Sequence, residues 1–446
     1  MVNNSSNHEN DDEKTLADFV IQKRSQPDIF AWVDPFSEAI NRLSGIGHNM
    51  YRRVMMSANS NRVVIEDPLT KKQREMIMMG SNSYLGLNNH PRVIKAAKEA
   101  IDLYGTGAGS PPHFSGYYDV HRKLEANLAW LKGTEDAMLF ASGYSTNVGI
   151  LSCFMGPKDT IIIDKLAHAS IIDGALLSGA RLCTFRHNDM NSLERALKQS
   201  QKNTSGDRMV AVEGVYSMDG DIAPLDEIYR LTRKYNAKLM VDEAHATGVL
   251  GKTGKGSPEH FNLEGKIDLV MGTFSKSLGG IGGFVAARKP VIEYMRYYSR
   301  AYFFAASPTP PQVAAQNESV NVLREEPQWH SRLWENIRYF HGELKQRRYD
   351  IERTQTAITP IVIGETGKMR EVTKFMHDHG VFVNPVPYPA VPRKRDRLRL
   401  SLSASHTRED LDKTLSTLDE ANAIFRFSTD YRKIEKESDE ELSEDK

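Results

Sequence analysis

Lys276 stands in the run Gly272-Thr273-Phe274-Ser275-Lys276-Ser277-Leu278-Gly279-Gly280, directly after the apolar stretch Leu269-Val270-Met271. A lysine at the end of a buried strand is out of place in ordinary packing, because an ammonium rarely goes inside without a partner. The Thr, Ser and Gly around it leave space, and their hydroxyls and backbone N–H groups can bind an anion. The chemistry that uses such an amine is Schiff-base formation, above all with pyridoxal 5'-phosphate (PLP). The competing reading is a surface lysine on a flexible glycine-rich loop.

Three other apolar runs also end in reactive side chains. Ile161-Ile162-Ile163 leads to Asp164 and His168, Met209 to Val212 leads to Glu213 and Ser217, and Leu239-Met240-Val241 leads to Asp242-Glu243-Ala244-His245. In a parallel α/β sheet, ligands bind beyond the carboxyl ends of the strands. One such coincidence means little, but four around one lysine make a site.

The needs of PLP match these groups. Its pyridine nitrogen must stay protonated to act as an electron sink, so a carboxylate belongs against it, and Asp242 fits. The alternative for Asp242 is a helix N-cap. His245 could donate to the ring oxygen and His168 could stack on the ring face, although a lone histidine is more often structural. The phosphate wants N–H groups at a helix N-terminus together with hydroxyls. Ser142-Gly143-Tyr144 offers the former, and Thr273 and Ser275 the latter. An amino-acid carboxylate wants a planar bidentate cation, for which Arg399 is the first candidate and Arg397 its competitor.

The elements that must position these residues are legible as patterns. From about Met76 to Ser307, apolar strands alternate with helical stretches. Pro91 to Tyr104 sets Val93, Ile94, Ala97 and Ile101 on one face and stops at Gly105, and Pro224 to Tyr235 does the same with Leu225, Ile228 and Leu231. Continuously apolar strands between helices predict a largely parallel sheet covered on both faces. After Pro308 a long helical stretch, Pro311 to Arg348, precedes the strand Ile361-Val362-Ile363. Arg397 to Ser403 then alternates strictly, with Leu398, Leu400 and Leu402 on one face and Arg397, Arg399, Ser401 and Ser403 on the other. Thr407-Arg408-Glu409-Asp410 resembles a capping box that opens a closing helix. The expected fold class is α/β, with a large domain over 76–307 and a smaller C-terminal α+β domain over 308–431. A lead-in segment over 15–75 precedes them, and the charged ends 1–14 and 432–446 are expected to be disordered.

Composition narrows the classes. Lys+Arg and Asp+Glu both number 58, so the formal charge is zero and nothing drives the chain toward nucleic acid or anionic lipid. The two cysteines, Cys153 and Cys183, have no metal spacing and read as reduced core residues of a cytoplasmic protein, with no metal site. Ala137 to Gly156 is uncharged and of membrane-spanning length, but Ser142 to Asn147 interrupt it, so it reads as a turn opening a core helix.

With these residues in view, the chain from about Asp34 to Ala423 resembles the α-oxoamine synthases, PLP enzymes of fold type I. The resemblance rests on Gly80-Ser81-Asn82-Ser83-Tyr84-Leu85-Gly86-Leu87, Ala141-Ser142-Gly143-Tyr144, Asp164 to His168, Glu213 to Asp221, Asp242 to Gly248, Thr273 to Lys276 and Leu398-Arg399-Leu400-Ser401. Phe185-Arg186-His187-Asn188, Val215 to Leu225, Gly272 to Phe284, Arg332 to Asn336 and Val383-Asn384-Pro385 look most like the bacterial serine palmitoyltransferases of that family.

The resemblance implies a site. Lys276 would hold PLP, with Asp242 at the pyridine nitrogen, His245 and Ser217 at the ring oxygen, and His168 stacked on the ring. Gly143, Tyr144 and Thr273 would hold the phosphate, and Asn82 and Arg399 the amino-acid carboxylate. It also implies a homodimer and a decarboxylative condensation of an amino acid, serine first, with a long-chain acyl thioester on CoA or acyl carrier protein. Alanine or glycine condensation and plain transamination are the rivals. Peripheral membrane contact is left open. One stretch departs from the family pattern: Ser110-Pro111-Pro112-His113 stands where Ser or Thr followed by Arg is usual, which bears on the acyl donor.

Overall fold

The computed structural model describes residues 28, 30–31, 33–203 and 206–428. The end segments 1–14 and 432–446 lie outside the described residues. The described chain forms two compact units. Unit 1 holds residues up to Ser81, Met218–Gly220, and Glu335 onward; unit 2 holds Asn82–Ser217 and Asp221–Trp334.

In unit 1 the lead-in carries a helix, Val33–Gly45, and the strands β1 (Val54–Met55), β2 (Arg62–Glu66) and β3 (Gln73–Met78). Val63, Ile65, Met76 and Met78 supply a buried cluster with Phe382, so this segment is a sheet although its sequence shows no sustained period.

Unit 2 is built on seven strands: β4 (Asp136–Phe140), β5 (Thr160–Asp164), β6 (Arg181–Phe185), β7 (Arg208–Glu213), β8 (Lys238–Asp242), β9 (Leu269–Thr273) and β10 (Gly283–Ala287). Their order is β4-β10-β9-β8-β7-β5-β6. The pairs from β9 to β6 are parallel, and only β10 runs against its neighbours β9 and β4. The expected apolar runs are the middles of β5, β7, β8 and β9. Two buried clusters pack against the two faces of this sheet. One gathers Ile150, Leu151, Ile161, Ile163, Ile171, Met240 and Met271; the other gathers Ile162, Val210, Val212, Ile228, Leu239 and Val241. Residues one apart in each strand fall in different clusters, as the two-residue period of a strand requires.

Local signals place the flanking helices. Pro91 starts the helix Pro91–Tyr104 and Gly105, at φ 75°, ends it. Ser142 caps Gly143–Phe154: its hydroxyl accepts the Ser145 N–H at 3.0 Å and the Ser145 hydroxyl receives the Ser142 N–H at 3.1 Å. The uncharged stretch 137–156 is thus β4, a turn and this helix, and no described helix is long and apolar enough to cross a membrane.

Unit 1 continues with β11 (Ile358–Gly364), β12 (Val381–Phe382), β13 (Asn384–Val386) and β14 (Asp396–Ser401). β12 pairs in parallel with β3, and β14 lies antiparallel between β11 and β13. The alternation predicted for β14 is there, but its second face is not solvated: every residue from Asp396 to Ser401 is buried. The single long helix expected over Pro311 to Arg348 is two helices, Pro310–Glu325 and Gln328–Gln346. Pro327 explains the break, because it has no N–H and disfavours helical geometry at Glu326. The closing helix Arg408–Phe425 starts with the expected Thr407–Asp410 capping box.

One buried ion pair lies within unit 2. Lys132 Nζ lies 3.5 Å from Glu243 Oε2 and donates to Thr247 Oγ1 at 2.8 Å, with both charged side chains wholly buried. Glu243 Oε2 also receives the Ser257 N–H at 2.9 Å. Removing one partner would leave the other charge buried and uncompensated, so Lys132→Met is expected to cost about 3–5 kcal/mol of unfolding free energy. Urea titration of the two proteins checks this, and a loss below about 1 kcal/mol would deny the pair that weight.

Candidate functional site

Six strands of one direction bring their carboxyl ends to one edge of the sheet in unit 2. Asp164, Glu213, Asp242 and Thr273 are the last residues of β5, β7, β8 and β9. All four are buried. The antiparallel pairing of β9 with β10 returns the chain over this edge and carries Lys276 on the connection. Phe274 and Leu278 are buried and anchor that loop, and the Gly280 N–H donates to Phe274 C=O at 2.8 Å. Gly279 has φ +68°, and a Cβ there would meet the Asn88 backbone N at 2.4 Å, so only glycine fits. Lys276 itself is half-buried.

Asp242 is held by two donors. Its Oδ1 receives the Ala244 N–H at 2.9 Å and its Oδ2 receives Asn147 Nδ2 at 2.8 Å. The alternative role as a helix N-cap does not apply, since turns follow β8. Asn147 also donates to Ser170 Oγ at 2.8 Å, and Ser170 Oγ lies 2.7 Å from His168 Nδ1, which receives the Ser170 N–H as well. Ser170 Oγ accepts from Asn147, so its single proton points to His168. That makes His168 Nδ1 an acceptor and leaves the proton of the neutral ring on Nε2. Burial pulls the His168 pKa below its ordinary value, Asp242 opposes this, and Lys276 adds to it. A neutral ring brings no second cation beside Lys276.

Glu213 Oε1 accepts the His168 N–H at 2.7 Å. Burial, then the charge of Asp242, push its carboxyl well above the usual range; the His168 N–H and Lys276 pull the other way. Glu213, His168, Asp242 and Lys276 therefore share one electrostatic environment.

His245 is buried, and its Nδ1 lies 2.7 Å from the Tyr84 hydroxyl, which also reaches Asn82 Oδ1 at 3.3 Å. Asn82 and Ser217 are half-buried. Thr273 Oγ1 donates to Gly282 C=O at 2.8 Å and lies 2.8 Å from Ser275 Oγ, so its hydroxyl is already engaged. Tyr144 is partly exposed, hydrogen-bonds through its hydroxyl to Asp173, and sets its ring edgewise to His168 at 6.4 Å. The expected residues Gly143, Tyr144, His168, Ser217, Asp242, His245, Thr273, Lys276 and Asn82 all lie in unit 2, whereas Arg399 lies in unit 1.

The structure separates the two candidate arginines. Arg397 is committed within unit 1, donating to Asp219 Oδ1 at 2.8 Å and to Glu352 Oε1 at 3.1 Å. Arg399 is buried beside Ser401, with Nη1 3.2 Å from Ser401 Oγ. The departing stretch is fastened inside unit 2. His113 packs among Tyr297, Tyr302 and Phe303, with ring centres 5.1, 5.8 and 4.6 Å away, and Ser110 C=O accepts the Ser307 N–H at 3.1 Å.

The residues present fit PLP. A Cβ at position 143 would stand 3.0 Å from Thr273 Oγ1, so glycine keeps open the space before the first turn, whose N–H groups have no acceptor within the helix. A carboxylate and a lysine amine lie near the same edge.

A model of the class I and II aminotransferases matches residues 74–418. The 8-amino-7-oxononanoate synthase of Thermoanaerobacter pseudethanolicus is 41% identical over 389 residues, covering 87% of this chain and 96% of its own length. The serine palmitoyltransferase of Sphingobacterium spiritivorum is 39% identical over 379 residues, covering 85% and 93%. This chain belongs to the α-oxoamine synthases, within the class I and II aminotransferase family. Among solved structures, a serine palmitoyltransferase carrying PLP superposes with a TM-score of 0.85 at 34% identity over 90% of this chain and 100% of its own. The 8-amino-7-oxononanoate synthase of Francisella tularensis gives 0.67 at 26% identity over 77% and 97%. The protein is a PLP-dependent acyltransferase of fold type I, as the motifs implied.

Three groups near the expected site were not assigned from sequence. Asn147 lies one turn into its helix with no spacing signal. Tyr84 stands inside the Gly80–Leu87 motif, which marked the segment without the role. Glu213 was seen as a strand end and given none. Tyr84→Phe should loosen PLP, because it removes the hydroxyl 2.7 Å from His245 Nδ1 and with it one partner that orients that ring. A loss of about 1 kcal/mol, roughly fivefold in the dissociation constant, is expected by fluorescence titration of the apoprotein. Unchanged affinity would remove Tyr84 from the site.

Proposed function

We propose that the protein condenses L-serine with a long-chain acyl thioester, releasing CO2 and the free thiol and yielding an α-aminoketone of the 3-ketosphinganine kind. What supports serine is the closer and longer match to the serine palmitoyltransferase fold than to the oxononanoate synthase fold, 0.85 against 0.67. A second reading, alanine or glycine with a different thioester, is favoured by the 41% identity to an 8-amino-7-oxononanoate synthase. We also propose that the working form is a homodimer.

PLP, when bound, acts as an electron sink for the carbanion left at the amino-acid Cα. The chain's residues have separate tasks in this reading. Lys276 would hold the cofactor, and its free amine would take the Cα proton. Asp242, held by Asn147 and Ala244, keeps the pyridine nitrogen protonated. His245 and Ser217 donate to the ring oxygen. His168 covers the ring face in its neutral form, oriented by Ser170. Gly143 and Tyr144 N–H groups and the Thr273 hydroxyl take the phosphate, and Thr273 must then turn from the Gly282 carbonyl. Asn82 and Arg399 receive the substrate carboxylate.

Mass spectrometry of products decides the substrate. Purified protein is offered serine, alanine and glycine with acyl thioesters of several lengths, on CoA and on acyl carrier protein. Serine with a long chain is expected to give the α-aminoketone, and a product from alanine alone would replace this reading with the second. An oxo acid without CO2 release would mean transamination.

The arginines separate by a different measurement. Arg399→Ala should raise the serine concentration that half-saturates the visible spectral change by about tenfold or more, a loss of roughly 1.5–3 kcal/mol, with Arg399→Lys a poor rescue. Arg397→Ala should instead lower stability, by leaving Asp219 without its cation and Glu352 with Arg395 alone. The opposite pattern would exchange the two roles.

A further inference from the structure

Behind the site, His187 lies between two carboxylates. Its Nδ1 is 3.0 Å from Asp164 Oδ1 and its Nε2 is 2.8 Å from Asp221 Oδ2. A neutral imidazole has one N–H, so one of these contacts would set lone pair against lone pair. Both are hydrogen bonds only when the ring carries two protons. Burial opposes that charge, but Asp164 and Asp221 outweigh it and raise the pKa to about 10.

The bridge joins two segments. Asp164 ends β5 and, through Oδ1, also receives the Leu166 N–H at 2.8 Å, which shapes the turn that delivers His168. Asp221 C=O receives the Tyr216 N–H at 3.1 Å, closing the loop whose next residue is Ser217. Asn188, at φ 50°, doubles the link: its N–H reaches Asp164 Oδ2 at 3.0 Å and its Nδ2 reaches Asp221 Oδ2 at 2.7 Å. The Tyr216 ring meets the His187 ring edge-on at 4.5 Å.

We propose that His187, bridging Asp164 and Asp221, is a positioning residue that holds the segments carrying His168 and Ser217 in register beside the cofactor. The two segments come from β5 and β7, and among the described residues no backbone hydrogen-bond ladder joins them beyond the strand ends, so side chains fasten one to the other: Glu213 at the His168 N–H, and the His187 bridge further along both segments. The bridge is made of residues that have no assigned role at the cofactor or the substrate. Its contribution is complete below the unfolded histidine pKa of about 6.5 and is lost as pH rises toward 10, because the folded protein then holds a proton the unfolded chain has released. Asp164, Asp221 and Tyr216 are the titratable groups that face the ring.

This inference rests on the assignment of Ser217 to the cofactor ring, and the test separates the two. PLP dissociation constants, the pH midpoint of the visible band and the apoprotein melting temperature are measured for His187→Asn, Ser217→Ala and the double variant. Ser217→Ala is expected to move the pH midpoint by about half a unit. His187→Asn should move it in the same direction and weaken PLP by about tenfold, and the double variant should do no more than the larger single, since both act through one contact. If His187→Asn lowers only the melting temperature, or if the two shifts add in full, the positioning role is refuted. If Ser217→Ala moves nothing, the ring assignment fails first and takes the inference with it. Should His187→Asn not fold, Asp221→Asn keeps the shape and one acceptor while removing a charge, and the same shift, smaller, is expected; no shift there refutes the role.

Discussion

The carboxylate of Asp242, fixed by the Asn147 amide and the Ala244 N–H, is the constraint on which the site depends. In the proposed site this carboxylate faces a protonated ring nitrogen and cannot drift, since a charge pair in a low-dielectric pocket loses its value with distance. The fold meets this by placing Asp242 at the end of a central strand, with β7 on one side and β9 on the other. From that point a run of donors passes through Asn147 and Ser170 to His168, so the carboxylate proposed for the ring nitrogen and the histidine proposed for the ring face are set by one network.

The same edge gathers charges that ordinary cores avoid. Glu213, Glu243, Lys132 and Asp164 are all buried. Replacing a buried ion pair by apolar side chains often leaves a protein as stable or more so, so stability alone does not account for them. Their partners suggest placement instead. Glu213 binds the backbone of His168, and Glu243, tied to Lys132 and Ser257, sits between Asp242 and the turn that leads to His245. Each charge fastens the chain next to a residue given a task in the proposed site, and apolar packing without direction would not do that.

Much of this was legible in the sequence, for local reasons. The apolar runs of β5, β7, β8 and β9, the proline start and glycine stop of Pro91–Tyr104, and the Thr407–Asp410 box are signals spread over a few residues, and the structure keeps them. Lys276 and Asp242 stood out in the sequence because a reactive group after an apolar strand is rare, and the structure sets Asp242 at the end of β8 and Lys276 on the connection after β9. What the sequence could not supply depends on partners far along the chain. Tyr84 meets His245 across 161 residues, and Arg397 meets Asp219 across 178. The alternation in β14 could not say which arginine was already spoken for, because that follows from what packs against the strand. Nor could apolar periodicity show that β10 runs against its neighbours, since a buried strand reads alike in either direction.

The nearly equal identity to enzymes of two names follows from the same physics. Holding PLP and removing a Cα proton need one set of groups whatever the amino acid, and those groups take up the strand ends and the loops between them. Serine differs from alanine by one hydroxyl. A pocket that merely tolerates this hydroxyl discriminates by about a hundredfold at most, whereas a pocket that hydrogen-bonds it rejects the analogue lacking it by about 10⁴ or more, because its own polar groups would be left unpaired. One or two polar contacts at the substrate side chain are enough to make that difference, and so few residues contribute almost nothing to overall identity. The size of the serine-to-alanine ratio carries the information that the alignment lacks: a large ratio requires a dedicated donor or acceptor for the hydroxyl, and a small one means that the condensation site is generic and that selection lies with the acyl chain.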